Sequence, residues 1–185
     1  FPNNTDIEFP CPDGAVWFRM QIHALAEIRP LTADRLPDYA NVIRNSFATV
    51  ARDFGLTKEN CPYHPAFISD EALVKKIKDG YMTFGYFVGD TLFDFVAITN
   101  MGGGIYEVNR LSIFPEWRHY GYGKRLLGFC KEKVKELGGE KINIEIVEEN
   151  KVLKEWYAAN GFVHTGTEKF EGLPFLIGHM EWRAI

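Results

Sequence analysis

The stretch "IFPEWRHYGYGKRLL", Ile113 to Leu127, sets an arginine, two glycines and a lysine between an apolar run that reads as a strand and one that reads as a helix. Two glycines there fit a sharp entry into a helix whose first backbone N–H groups stay uncovered, and an anion is the usual guest at such a place. A Walker phosphate loop is excluded, because Arg118 stands where its first glycine belongs and Arg125 where a magnesium-binding hydroxyl must follow Lys124. A dinucleotide fingerprint is excluded too, since Leu126 occupies the place of its third glycine.

Upstream, "YMTFGYFV", "TLFDFVAITN" and "GIYEVNRLSIF" are three β-rich runs joined by Gly89-Asp90 and by the triplet Gly102 to Gly104, which predicts an antiparallel meander. Before them, "AEIRPL" reads as a short strand. The next helix puts Leu36, Ala40, Ile43, Phe47 and Val50 on one face, with Thr32 as its N-cap, and a second helix runs from Ser69 or Asp70 to Gly80. The intervening segment 53–70, with two prolines, is a loop.

Downstream, Gly121 to Leu137 forms a helix with Leu126, Leu127, Cys130, Val134 and Leu137 on one side. "KINIEIV" is a further strand, Asn150 to Ala159 a short helix, and "FVHTGTEKF" and "PFLIGHMEW" a closing hairpin. A helix separates "EVNRLSI" from "INIEIV", so those strands can lie parallel through a right-handed crossover. The order predicts a mixed α/β fold with a central twisted sheet of six to seven strands and four helices. Residues 26–185 are read as one domain and residues 1–25 as an N-terminal extension.

Composition narrows the partners. Lys plus Arg number 21 against 25 Asp plus Glu, a formal charge of -4, so nothing general favours nucleic acid and any anion site must be local. Three cysteines lie far apart without a C-x-x-C pair, which fits a reducing, cytoplasmic setting. No apolar run reaches membrane-spanning length and no signal-peptide pattern opens the chain, so neither is expected. His64, His119, His164 and His179 lack metal-ligand spacing, and no metal is assigned.

What remains in the glycine loop is R-x-x-G-x-G, and here the chain resembles the GNAT-type N-acetyltransferase superfamily. Its acyl-CoA loop commonly reads hydrophobic-x-P-x-aromatic-R-x-x-G-x-G, places filled here by Ile113, Pro115, Trp117, Arg118, Gly121 and Gly123. A second stretch, "NKVLKEWYAANGF", resembles the family's N-x-x-A-x-x-x-Y-x-x-x-G-F motif through Asn150, Tyr157, Gly161 and Phe162, with Leu153 replacing the usual alanine. The resemblance extends over Ile28 to Trp182.

The resemblance implies an acyl-CoA N-acyltransferase fold in which "EVNRLSI" carries a bulge and splays from "INIEIV". It implies that acetyl-CoA is the acyl donor. Leu111, Ser112 and Ile113 would meet the pantetheine, while Arg118, His119, Tyr120, Gly121, Tyr122, Gly123 and Lys124, with Asn150, would complete the cofactor site. Tyr157 would protonate the departing thiolate and Glu107 would serve as base toward an amine. Phe54, Tyr63, His64, Phe67, Phe84, Tyr86 and Asp94 form an expected acceptor wall, suited to a small cationic amine more than to a peptide. A non-catalytic CoA-binding sensor stays open as an alternative, as does a homodimer.

Overall fold

The computed structural model describes residues 7–10, 17–20 and 26–184. Strands β1 (Ile7–Pro10) and β2 (Trp17–Met20) pair with each other antiparallel in a small sheet of their own. Most of the expected N-terminal extension, with Cys11, lies outside the described residues.

The main sheet has seven strands: β3 (Ala26–Pro30), β4 (Met82–Val88), β5 (Thr91–Gly102), β6 (Ile105–Ile113), β7 (Lys141–Val147), β8 (Val163–Glu168) and β9 (Ile177–Arg183). Their order across the sheet is β3-β4-β5-β6-β7-β9-β8. Every neighbouring pair is antiparallel except β6 and β7, the crossover pair expected from the sequence.

Helix α3 (Tyr122–Glu136) makes that crossover, and α4 (Lys151–Ala159) follows β7. Leu126, Leu127, Cys130 and Val134 of α3 are at most 1 % exposed and pack on Val96, Ile98, Val108, Ile142 and Ile144. Burying each such aliphatic side chain contributes about 1.5–3 kcal/mol, so the start of α3 is held rigidly on the sheet. Leu137 departs from the expected apolar stripe: the helix stops at Glu136, and Leu137, its C-cap, is exposed.

Helices α1 (Leu36–Asp53) and α2 (Asp70–Lys78) cover the opposite face through Tyr39, Ile43 and Leu73 against Phe87, Phe95 and Ala97. Thr32 does not cap α1. A 3-10 turn, Ala33–Arg35, intervenes, and the helix begins beside Pro37, whose fixed φ suits a first turn. Tyr39 closes this entry, its hydroxyl donating to the Thr32 carbonyl at 2.7 Å and accepting the Thr32 N–H at 2.8 Å.

Candidate functional site

The site begins where β6 and β7 part. Their parallel ladder runs only through Ile105–Lys141, Tyr106–Ile142 and Glu107–Asn143; among the described residues no register joins β6 to β7 beyond Glu107. On its other side β6 stays paired with β5, but with a bulge: Ala97 faces Asn109 and Phe95 faces Ser112, so Arg110 and Leu111 together oppose Val96. Arg110 takes a φ of 50°, unusual for a residue with a side chain. The bulge is pinned twice. The Ser112 hydroxyl donates to the Arg110 carbonyl at 2.6 Å, and the Arg110 guanidinium donates to the Tyr81 hydroxyl at 2.8 Å. The result is a V-shaped opening whose free strand edge carries Leu111 and Ile113.

At the open end, a 3-10 turn, Pro115–Trp117, leads into α3. His119 at φ 71° and Gly121 at φ 86° are both left-handed, and Gly121 caps the helix with no side-chain bond to its first amides. Strained backbone of this kind gathers at ligand sites. The two glycines serve different ends. A Cβ on Gly121 would meet open space, so glycine is required there by conformation. A Cβ on Gly123 would lie 2.6 Å from Ile113 Cδ1 and 3.4 Å from the Trp156 ring, so a side chain there must displace the end of Ile113.

That contact also unites the two sequence motifs, because Trp156 belongs to α4. Asn150 caps α4, its side-chain oxygen accepting the Leu153 N–H at 3.1 Å. Tyr157, next along, is 7 % exposed and packs edge-on to Trp156 and Phe162. Burial, with the neighbouring Cys130 thiol, raises its phenol well above the ordinary value, so it carries its proton at neutral pH.

Arg118 points away from the helix start. Its Nη2 donates to the Ser46 carbonyl at 2.7 Å and its Nη1 to the Thr49 hydroxyl at 3.0 Å, both on α1, with a longer bond to the Ile113 carbonyl. Its guanidinium thus fastens the loop to α1. Tyr122 is a core side chain, edge-on to Tyr86, Phe93 and Trp117. His119, Tyr120 and Lys124 are exposed at the rim.

The expected acceptor wall is also corrected. Phe84 is core, edge-on to Phe129 of α3, and Tyr86 and Asp94 are buried beneath the start of that helix. Phe54 and Phe67 pack around Val147 and Phe175. His64 is buried, accepts the Ala66 N–H and has its pKa pushed down to about 4 by burial. Tyr63, 93 % exposed, stands apart from them.

An open concavity lies elsewhere, on the sheet face shared with α1 and α2. A cavity of about 400 Å³ is lined by Glu107, Asn143, Glu145, Thr165, His179 and Glu181, among others. Alternation puts Glu107 there, since its neighbours Tyr106 and Val108 point into the α3 core. Glu145 and His179 are residues that sequence reasoning missed. Partial burial, then the charge of Glu107, lift the Glu145 carboxyl above its ordinary value, with His179 opposing and Glu168 adding.

Residues 52–183 match the acetyltransferase (GNAT) domain family. The chain belongs to this GNAT family. No curated protein matches it by sequence. Among solved structures, the PaiA N-acetyltransferase of Thermoplasma acidophilum in complex with coenzyme A is 26% identical, with a TM-score of 0.68 over 86% of this chain and 99% of that one. The ribosomal-protein-S18-alanine N-acetyltransferase of Escherichia coli shares the fold at 13% identity and a TM-score of 0.68, covering 85% of this chain and 93% of that chain. A GNAT acetyltransferase of Elizabethkingia anophelis with acetyl-CoA bound gives 13% identity and a TM-score of 0.63, over 86% and 99% of the two chains. The expected mixed α/β acyltransferase fold is therefore the fold of this GNAT chain. No described helix is long and apolar enough to cross a membrane.

Proposed function

We propose that this GNAT protein transfers an acetyl group from acetyl-CoA to a primary amine of a small-molecule acceptor, by direct attack within a ternary complex. The observation that carries this is the parting of β6 from β7 after Glu107, next to an uncapped, glycine-started helix. An extended pantetheine completes the free edge of β6 as an added strand would, and the first-turn amides of α3 receive the diphosphate. Relatives of the same fold hold coenzyme A or acetyl-CoA, which supports the donor.

The thioester then lies at the vertex of the V, where a backbone N–H near Leu111 or Ser112 stabilises the negative charge that develops on the carbonyl oxygen. The acceptor comes from the cavity on the other face, and Glu107 takes a proton from its ammonium group. The freed lone pair bonds to the carbonyl carbon, the carbon–sulfur bond breaks, and the thiolate takes the Tyr157 phenolic proton.

Mixing the protein with acetyl-CoA and a panel of small amines tests this by release of free thiol. Tyr157→Phe is expected to lower turnover about ten- to a thousandfold while acetyl-CoA affinity stays nearly unchanged. Unaltered turnover removes Tyr157 from the mechanism, and coenzyme A binding without thiol release across the panel returns the protein to a sensor role.

A further inference from the structure

Behind Glu107 the sheet assembles a second set of titratable groups. Glu145 of β7 lies two residues past Asn143, the last β7 residue paired with β6, so it stands on the opened part of the strand and on the same face as Glu107. Such diagonal neighbours on adjacent strands are within reach of one another when both side chains are long. His179 of β9 sits behind Glu145, with Nδ1 3.7 Å from Glu145 Oε1 and Nε2 3.3 Å from Glu168 Oε2 of β8. The other charges facing the cavity are Lys141 and Glu181, which pair with each other, Glu181 also taking Arg183. His179 is therefore the basic group of this lining that stands against Glu145.

Resting on the amine-acetylation reading above, we propose that the acceptor-side base is a two-carboxylate unit, Glu107 together with Glu145, and that His179, held by Glu168, positions this unit and balances its charge. Two carboxylates facing one cavity do not ionise independently. A bound ammonium favours the doubly ionised pair, and the pair then takes the proton that the amine must lose before attack. After the amine has bonded to the carbonyl carbon, its second proton goes to water and restores the proton that Tyr157 gave to the thiolate. The proton held by the carboxylate pair returns to solvent through the cavity mouth.

The test is the acidic limb of the pH profile of kcat/KM for an acetylated amine from the panel. Glu145→Gln removes the like charge and shifts the limb to lower pH by about one unit, with plateau activity lowered no more than about tenfold. His179→Gln removes the group that positions and balances the pair and shifts the limb to higher pH. Glu107→Gln lowers kcat/KM by a hundredfold or more across the range, on the order of a general-base loss. A purely structural His179 would change melting temperature and leave the limb in place. Limbs that stay put in both Glu145→Gln and His179→Gln, or move the same way, overturn the proposal while wild-type thiol release keeps the amine-acetylation reading intact. A wild-type protein inert toward every amine overturns that broader reading instead.

Discussion

Arg118 separates an anchor from a cofactor contact. Its two shorter bonds, 2.7 Å to the Ser46 carbonyl and 3.0 Å to the Thr49 hydroxyl, are donated by a charged group, and such bonds contribute about 1.5–3 kcal/mol each. Fixing an arginine side chain costs about 2 kcal/mol of rotamer entropy, so Arg118→Ala is expected to lower stability by about 1–4 kcal/mol. For a chain of this length that is a fall in melting temperature of roughly 2–16 °C. Lysine offers a point charge in place of the fork and reaches one acceptor, so Arg118→Lys recovers less than half of the loss.

Because the loop hangs on this arginine, acetyl-CoA affinity also falls, through disorder at the start of α3. Loss of that origin is the same at low and high salt. Loss of a direct contact with a diphosphate would shrink as ions screen it, the Debye length dropping from roughly 10 Å at 0.1 M to 3 Å at 1 M. Urea denaturation and calorimetric titration of coenzyme A at the two salt levels measure both quantities. Wild-type stability in Arg118→Ala, joined to an affinity loss that vanishes at high salt, would refute the anchoring role.

Gly121→Ala forces a side chain into a left-handed conformation at φ 86°, at a cost of about 1–2 kcal/mol. Gly123→Ala drives Ile113 off its place, at about 1–3 kcal/mol, and raises KM for acetyl-CoA because Ile113 lies on the free strand edge; urea midpoints and KM values that match wild type would count against both assignments. Asp94 is fully buried with neither carboxyl oxygen hydrogen-bonded, and burial raises its pKa well above the ordinary value. The folded state therefore holds a proton that the unfolded chain releases near pH 3.8, so the stability present below that pH is lost as pH rises toward the folded-state pKa. Asp94→Asn is expected to raise the melting temperature at pH 7, with little effect at pH 3; equal shifts at both pH values would exclude ionisation as the cause.

Much of this fold was legible because its signals are local. The glycine punctuation of the meander, the apolar stripe of α3 and the loop from Arg118 to Gly123 each reside within a few consecutive residues, and the structure keeps them. The acceptor wall was misread for a physical reason: an aromatic residue contributes the same apolar area to a core as to a pocket, and Phe84, Tyr86 and Phe67 went to cores. Glu145, Glu168 and His179 could not be grouped from sequence, since they lie on three strands and only the β7-β9-β8 pairing brings them together. The bulge was expected from family resemblance, but no local feature marks Arg110 as left-handed. Its conformation is set by Ser112 and Tyr81, partners on either side of it in the fold.

The bulge and the opening adjoin on β6, the ladder to β7 ending at Glu107 and the extra residue following at Arg110 and Leu111. Backbone hydrogen-bonding direction alternates along a strand, so one extra residue opposite Val96 turns the groups of β6 beyond it out of phase with that ladder. A strand edge freed in this way would ordinarily invite closure, because unpaired amides and carbonyls are costly away from water. Closure is opposed from the side, where Arg118 ties the end of β6 and the loop to α1, while Ile113 and Trp156 both lie close to Gly123 at the start of α3. The groups that hold the cleft open are thus distinct from those that act in it, which is why Arg118 sits in a cofactor motif while its charge faces a helix carbonyl.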